Sequence, residues 1–267
     1  MRFNFGILTA AALSFGFAQT ASAADMPVKA PMKAPPPAAA VYNWTGFYLG
    51  LNAGAGISDS KLDVDPTGAF LTDVNAAAYL ASYPGELTSQ QAGFTGGLTA
   101  GYNWQPNNFV FGVEGDINYL HLTASSSANP PAVPPLGGNV GKLMSLEEDW
   151  FGTLRGRLGV AFDRFLVFGT GGLAIGEVKS SAAWTDHGSY NWAASSSSTR
   201  AGWVLGAGAE YALTQNWRVK AEYLYVDLGS HSYNVTNATT NPIQTYTINA
   251  TEWDRYSIVR AGLNYRF

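Results

Sequence analysis

Val259-Arg260-Ala261-Gly262-Leu263-Asn264-Tyr265-Arg266-Phe267 closes the chain. Counted back from Phe267, the alternate positions Tyr265, Leu263, Ala261 and Val259 are apolar, and the residues between them are polar or glycine. Alternation with a period of two gives an extended strand one face suited to hydrocarbon and one suited to water. A strand of this kind that stops on an aromatic reads as the last strand of a bacterial outer-membrane barrel, with Phe267 as the signal for the barrel assembly machinery. A chain bound for that membrane has to be exported first, so an export signal is expected at its other end.

Met1-Arg2 supplies a positive charge, Phe3 to Ala18 an uncharged and mostly apolar run, and Ala21-Ser22-Ala23 a small-x-small cleavage site. Residues 1–23 therefore read as a removable secretory signal. A membrane anchor is the competing reading, but the run is broken by Asn4, Thr9 and Ser14 and falls short of the roughly 20 apolar residues of a spanning helix. Residues 24–43 form a Pro/Ala tract that suits an extended, solvated periplasmic spacer, with Lys29 and Lys33 as possible cell-wall contacts. The barrel is expected over 44–267.

Cysteine is absent, which excludes disulfides, thiolate metal sites and a cysteine nucleophile. The chain has 15 Lys and Arg against 19 Asp and Glu, and loses only Arg2 from this balance with the signal. Scattered bases in an acidic chain leave no footprint for nucleic acid. Abundant glycine and aromatic residues with few charges fit thin membrane strands better than a soluble enzyme.

From Trp44 onward, glycine-rich alternating segments recur at about 44–57, 91–104, 109–122, 149–162, 165–177, 200–212, 217–229 and 252–267. The connections 105–108, 163–164 and 213–216 are tight, whereas 58–90, 123–148, 178–199 and 230–251 are long and rich in Ser, Ala, Asn and Thr. Short and long connections in alternation predict an all-β, eight-stranded antiparallel transmembrane barrel. Both termini then lie on the short-turn, periplasmic side, and four long loops face outward. A soluble lipocalin-like barrel would have to bury the face that carries the charges.

Phase assigns the side chains. In the third segment Phe109, Phe111, Val113, Ile117 and Tyr119 oppose Glu114, Asp116 and Asn118. Across the other segments the polar face collects Arg155, Arg157, Glu210, Arg218, Lys220, Glu222 and Arg260. Four acids and five bases in a narrow interior are expected to pair across the lumen, since a lone buried charge costs several kcal/mol. Trp44, Trp104, Trp150, Trp217, Tyr265 and Phe267 fall at strand ends, where amphipathic rings form interface girdles.

Gly169-Thr170-Gly171-Gly172 and Gly206-Ala207-Gly208 precede no amphipathic helix and so lack the helix N-terminus a phosphate loop needs. His121, His187 and His231 show no metal-ligand spacing, and no nucleophile has a base beside it, so neither a cofactor, a metal nor an enzymatic activity is expected.

Several stretches resemble the outer-membrane immunogenic protein family of alphaproteobacteria. They are Asn43-Trp44-Thr45-Gly46-Phe47-Tyr48-Leu49-Gly50, Val110-Phe111-Gly112-Val113-Glu114-Gly115-Asp116, Leu154-Arg155-Gly156-Arg157-Leu158-Gly159, Val219-Lys220-Ala221-Glu222-Tyr223-Leu224-Tyr225 and the terminal strand. The resemblance implies an eight-stranded, OmpA-like barrel with antigenic surface loops, in a family whose members are often labelled porins. The expected function is structural, supporting the envelope and displaying loops. Its alternatives are a narrow passive pore for ions and small hydrophilic solutes, and a loop-mediated binding or adhesion module. Outer-membrane lipid and lipopolysaccharide are the expected surroundings, a surface ligand would use the loops, and a monomer is the default for a barrel this small.

Overall fold

A computed structural model describes residues 42–68, 71–72, 76–77, 86–128, 141–186, 190–235 and 246–267. The expected export signal and the spacer up to residue 41 lie outside them. Eight strands follow one another as β1 (Gly46–Gly68), β2 (Glu86–Trp104), β3 (Phe109–Ala128), β4 (Gly141–Phe162), β5 (Phe165–Asp186), β6 (Tyr190–Ala212), β7 (Trp217–Val235) and β8 (Tyr246–Arg266). Each pairs antiparallel with its sequence neighbours, and β1 pairs with β8 to close the barrel. Closure removes the free edges that would otherwise expose backbone donors and acceptors to lipid.

Pleating sorts the residues as the alternation predicts. On β1, Leu51 is 63% exposed and its neighbour Asn52 only 6%. The same holds for exposed Phe109, Phe111, Val113 and Ile117 against buried Val110, Glu114, Asp116 and Asn118. The three tight turns fall where expected, between β3 and its predecessor, between β4 and β5, and between β6 and β7. Asn107 and Asp163 take left-handed backbone angles there, with φ of 57° and 52°, a conformation that Asn and Asp tolerate better than most residues.

On the other side the strands run further than the sequence reading allowed. The shortest has 19 residues, against the roughly 9 to 11 that a tilted spanning strand needs. Much of the expected loops is therefore ladder: 123–128 pairs with 142–147, and 180–186 with 190–196. These extensions are rich in Ser, Ala and Thr, and their sequence carries no apolar alternation to mark them. Register shifts fall between Tyr119 and Leu122, Glu148 and Phe151, and Asp227 and Ser230. At the last, Gly229 adopts φ +79° and donates its N–H to Asp227 Oδ1 at 2.8 Å. Each shift lies next to outward rings such as Tyr119 and Trp150, where the apolar wall gives way to the polar extensions.

Candidate functional site

The lumen is filled in layers. Nearest the short turns, Tyr42 and Trp44 are folded into the barrel mouth among Val110, Ala161, Leu166, Phe168 and Ala212. The Trp44 indole donates to the Asp163 carbonyl at 3.0 Å, and its backbone N–H donates to Gln105 Oε1 at 2.6 Å. Arg218 lies 4.8 Å above the Trp44 ring and donates from Nε to the Tyr42 hydroxyl at 2.9 Å.

Three expectations are corrected here. Trp44 is not a girdle residue: it is 0% exposed, whereas Trp104 is 50% exposed on the outer wall. It precedes the first strand residue, so the chain turns inward before the pleat begins, and position at a strand end does not specify a facing. Tyr42, assigned by sequence to the spacer, packs inside with it. Arg218 also has no carboxylate within ion-pair distance among the described residues; aromatic faces, the Tyr42 hydroxyl and the Trp44 carbonyl surround it instead. Trp217 and Phe267 are exposed on the outer wall, and Trp150 and Tyr265 are partly covered there.

Above this plug lies the charged layer. Arg155 donates from Nη1 to Glu222 at 2.7 Å, from Nη2 to Asp116 at 2.6 Å, and also to Glu114. Lys220 Nζ reaches both oxygens of Glu114, at 2.9 and 3.0 Å. Arg260 binds Glu222 at 2.8 Å and Asp116 at 2.9 Å, and Arg157 binds Glu210 at 2.6 Å. The four acids and four of the five bases singled out from sequence thus meet in one buried, charge-balanced network. Its pairs join neighbouring strands, as in the register partners Glu114 and Arg155, and also cross the lumen, as from β4 to β7. Each charge is desolvated, and only multiple partners offset that cost.

Tyr48 belongs to the same network: its hydroxyl donates to Glu114 at 2.7 Å and accepts from Arg157 at 2.9 Å. Beyond the network come Leu120, Phe151, Val204, Leu224, Val226, Tyr256 and Ile258, all buried. Past this apolar layer Arg200 donates to Glu252 at 3.1 Å and also to Asp254. Sequence reasoning missed this trio, although phase could have found it. Asp254 and Glu252 lie an even number of residues from Arg260, as Arg200 does from Glu210, so all three share the inward face.

The arrangement spends most of its donors and acceptors on one another, leaving Arg157 Nε and Glu210 Oε2 buried without a partner among the described residues. It pins strands from opposite sides of the barrel and leaves rings and aliphatic side chains as septa on either side of the charges.

Comparison with known proteins agrees with the barrel fold. The family described as the outer membrane protein beta-barrel domain matches residues 8–267. The 31 kDa outer-membrane immunogenic protein of Brucella melitensis biotype 1 is 40% identical over 96% of this chain and 98% of its own. The 22 kDa outer membrane protein of Rhizobium leguminosarum bv. viciae is 34% identical over 72% of this chain and 68% of its own. The 25 kDa outer-membrane immunogenic protein of Brucella abortus biovar 1 is 27% identical over 98% of this chain and 97% of its own.

Proposed function

Because this chain belongs to the outer-membrane β-barrel domain family, among the outer-membrane proteins of alphaproteobacteria, we propose that it is a structural barrel with a closed lumen. Its short turns and both termini face the periplasm, and its long connections are displayed at the cell surface as antigens. In this role it supports the envelope without catalysing a reaction.

The observation that carries the reading is the lumen filling: a network of paired charges, with Trp44 and Tyr42 on one side and an apolar layer on the other. A barrel of eight strands has an interior about wide enough for side chains to fill it, and these side chains are bound to one another. Phe267, exposed and set edge-on against Tyr265 at 5.1 Å, serves on this reading as the signal for the assembly machinery.

Single-channel recording of residues 24–267 in a planar bilayer tests the proposal, with heat-modifiable gel mobility to establish folding. A folded, electrically silent sample is expected. Reproducible open steps would make the protein a narrow pore and turn Glu114, Asp116, Arg155 and Arg157 into its constriction.

A further inference from the structure

Tyr42, Asn43, Trp44 and Thr45 precede the first ladder residue, yet between them they bond to every short turn of the rim. Gly46 is the joint that aims them inward: its φ of +137° lies in a region that glycine tolerates and other residues rarely adopt. From the turn between β2 and β3, Gln105 Oε1 accepts the Trp44 N–H at 2.6 Å, and the Gln105 N–H donates to Thr45 Oγ1 at 3.0 Å. From the turn between β4 and β5, Asp163 Oδ1 accepts the Tyr42 N–H at 2.9 Å, and the Asp163 carbonyl accepts the Trp44 indole at 3.0 Å. From the turn between β6 and β7, the Gln215 carbonyl accepts the Tyr42 hydroxyl at 3.3 Å.

The last strand completes the circuit. Arg266, the final residue of β8, donates from Nη1 to the Thr45 carbonyl at 3.3 Å and also to the Asn43 carbonyl. These bonds lie beside the seam that closes the barrel, where the Phe267 N–H donates to the Phe47 carbonyl at 3.1 Å. Ladder bonds join only neighbouring strands, whereas this segment ties the β1–β8 seam to the turn between β4 and β5, on the opposite side of the closed strand order. Its partners are divided among all three turns, and those turns surround a common mouth only after β1 has paired with β8.

We propose that Tyr42–Thr45 is a clasp: it inserts after the barrel has closed and locks the seam between β1 and β8, which cannot unzip at the short-turn rim until the segment has withdrawn as a unit. The clasp acts on the rim, and its action is independent of whether the lumen conducts. Contacts made only after the folding transition state slow unfolding and leave the folding rate alone. An element held by bonds outside the ladder also opens at lower cost than the strands it fastens, so its amides exchange together and ahead of theirs.

The test takes residues 24–267 refolded in detergent, with unfolding and refolding in urea timed by heat-modifiable gel mobility and amide hydrogen exchange followed by NMR. Asp163→Gly removes the Tyr42 acceptor and keeps a residue that accepts the φ of 52° at that turn, while Asp163→Asn retains an acceptor oxygen. Asn107→Gly is the control, placing glycine at the other left-handed turn position, where φ is 57°. Asp163→Gly is expected to unfold about tenfold faster and to refold within about twofold of the wild-type rate. Asp163→Asn and Asn107→Gly should leave both rates unchanged. The Trp44 amide keeps its own acceptor, Gln105, in Asp163→Gly, yet should exchange about tenfold faster there because the segment opens as one unit. Gln105→Ala should likewise speed exchange at Tyr42, whose acceptor Asp163 is untouched. An unchanged Trp44 amide in Asp163→Gly and an unchanged Tyr42 amide in Gln105→Ala would mean that the bonds act separately, and would overturn the proposal. Slowed refolding of Asp163→Gly would do the same, since the segment would then dock before closure. Equally fast unfolding of Asn107→Gly would assign the effect to turn flexibility instead of the clasp.

Discussion

The two charged clusters in the lumen differ in how their charges are neutralised. In the one near the short turns, four carboxylates face four bases, and Arg155 alone serves three acids. In the one toward the long connections, Arg200 serves both Glu252 and Asp254. Glu252 Oε1 and Asp254 Oδ1 are buried there with no donor among the described residues. The first cluster sits between apolar layers and balances its charges, although Arg157 Nε and Glu210 Oε2 also lack a partner among the described residues. The second lies beyond the apolar layer, where one base serves two buried carboxylates. Side-chain burial does not separate the two clusters, since Glu252 and Asp254 are as buried as Glu114 and Asp116; the number of bases that reach the acids does.

The largest effect is expected from breaking the balanced cluster. Arg155→Met strands Glu114, Asp116 and Glu222 in a buried site, and should lower stability by about 3–5 kcal/mol. It would appear as a lower temperature of heat-modified gel mobility. Adding Glu222→Met should restore part of that loss, which it would not do if Arg155 acted only by packing.

Next comes the plug. Trp44→Ala removes a fully buried indole and should cost about 3 kcal/mol, yet the bilayer recording should stay silent because the charged layer above it is intact. Conductance from this variant would show that Trp44, and not the ion-pair network, closes the lumen.

A smaller loss, about 1–2 kcal/mol, is expected for Arg200→Met, which leaves two buried carboxylates without their donor. Protonation relieves abandoned carboxylates, so the deficit relative to wild type should shrink as pH falls. A deficit independent of pH in urea titrations would mean that Arg200 matters for its hydrocarbon stem. The smallest effect belongs to Trp104→Ala on the outer wall, at about 0.5 kcal/mol or less. Equal losses from Trp44→Ala and Trp104→Ala would erase the distinction between plug and girdle.

Much of this was legible in the chain. The tight connections 105–108, 163–164 and 213–216 carry turn residues between apolar alternations, and the structure turns there. The eight network charges were identifiable by phase alone. The upper trio went unread because its residues lie where the outward apolar row fades, and that row was the guide to the phase. Trp44 was misassigned for a related reason: a residue just outside a strand has no pleat to dictate its face.

By itself, the sequence determined the strand count, the alternation of short and long connections, and the set of side chains turned inward. A slip of one residue would turn every side chain to the opposite face, so the pattern tolerates a single phase. Which acid meets which base was decided only by the closed barrel. The partners of Arg155 on β7, of Arg260 on β3 and of Arg157 on β6 belong to strands that are not neighbours in the sheet. Their approach depends on the tilt and stagger with which eight strands close, and no local spacing encodes that. The inward fold of Tyr42 and Trp44 has the same origin, because the mouth they fill exists only once β1 has paired with β8.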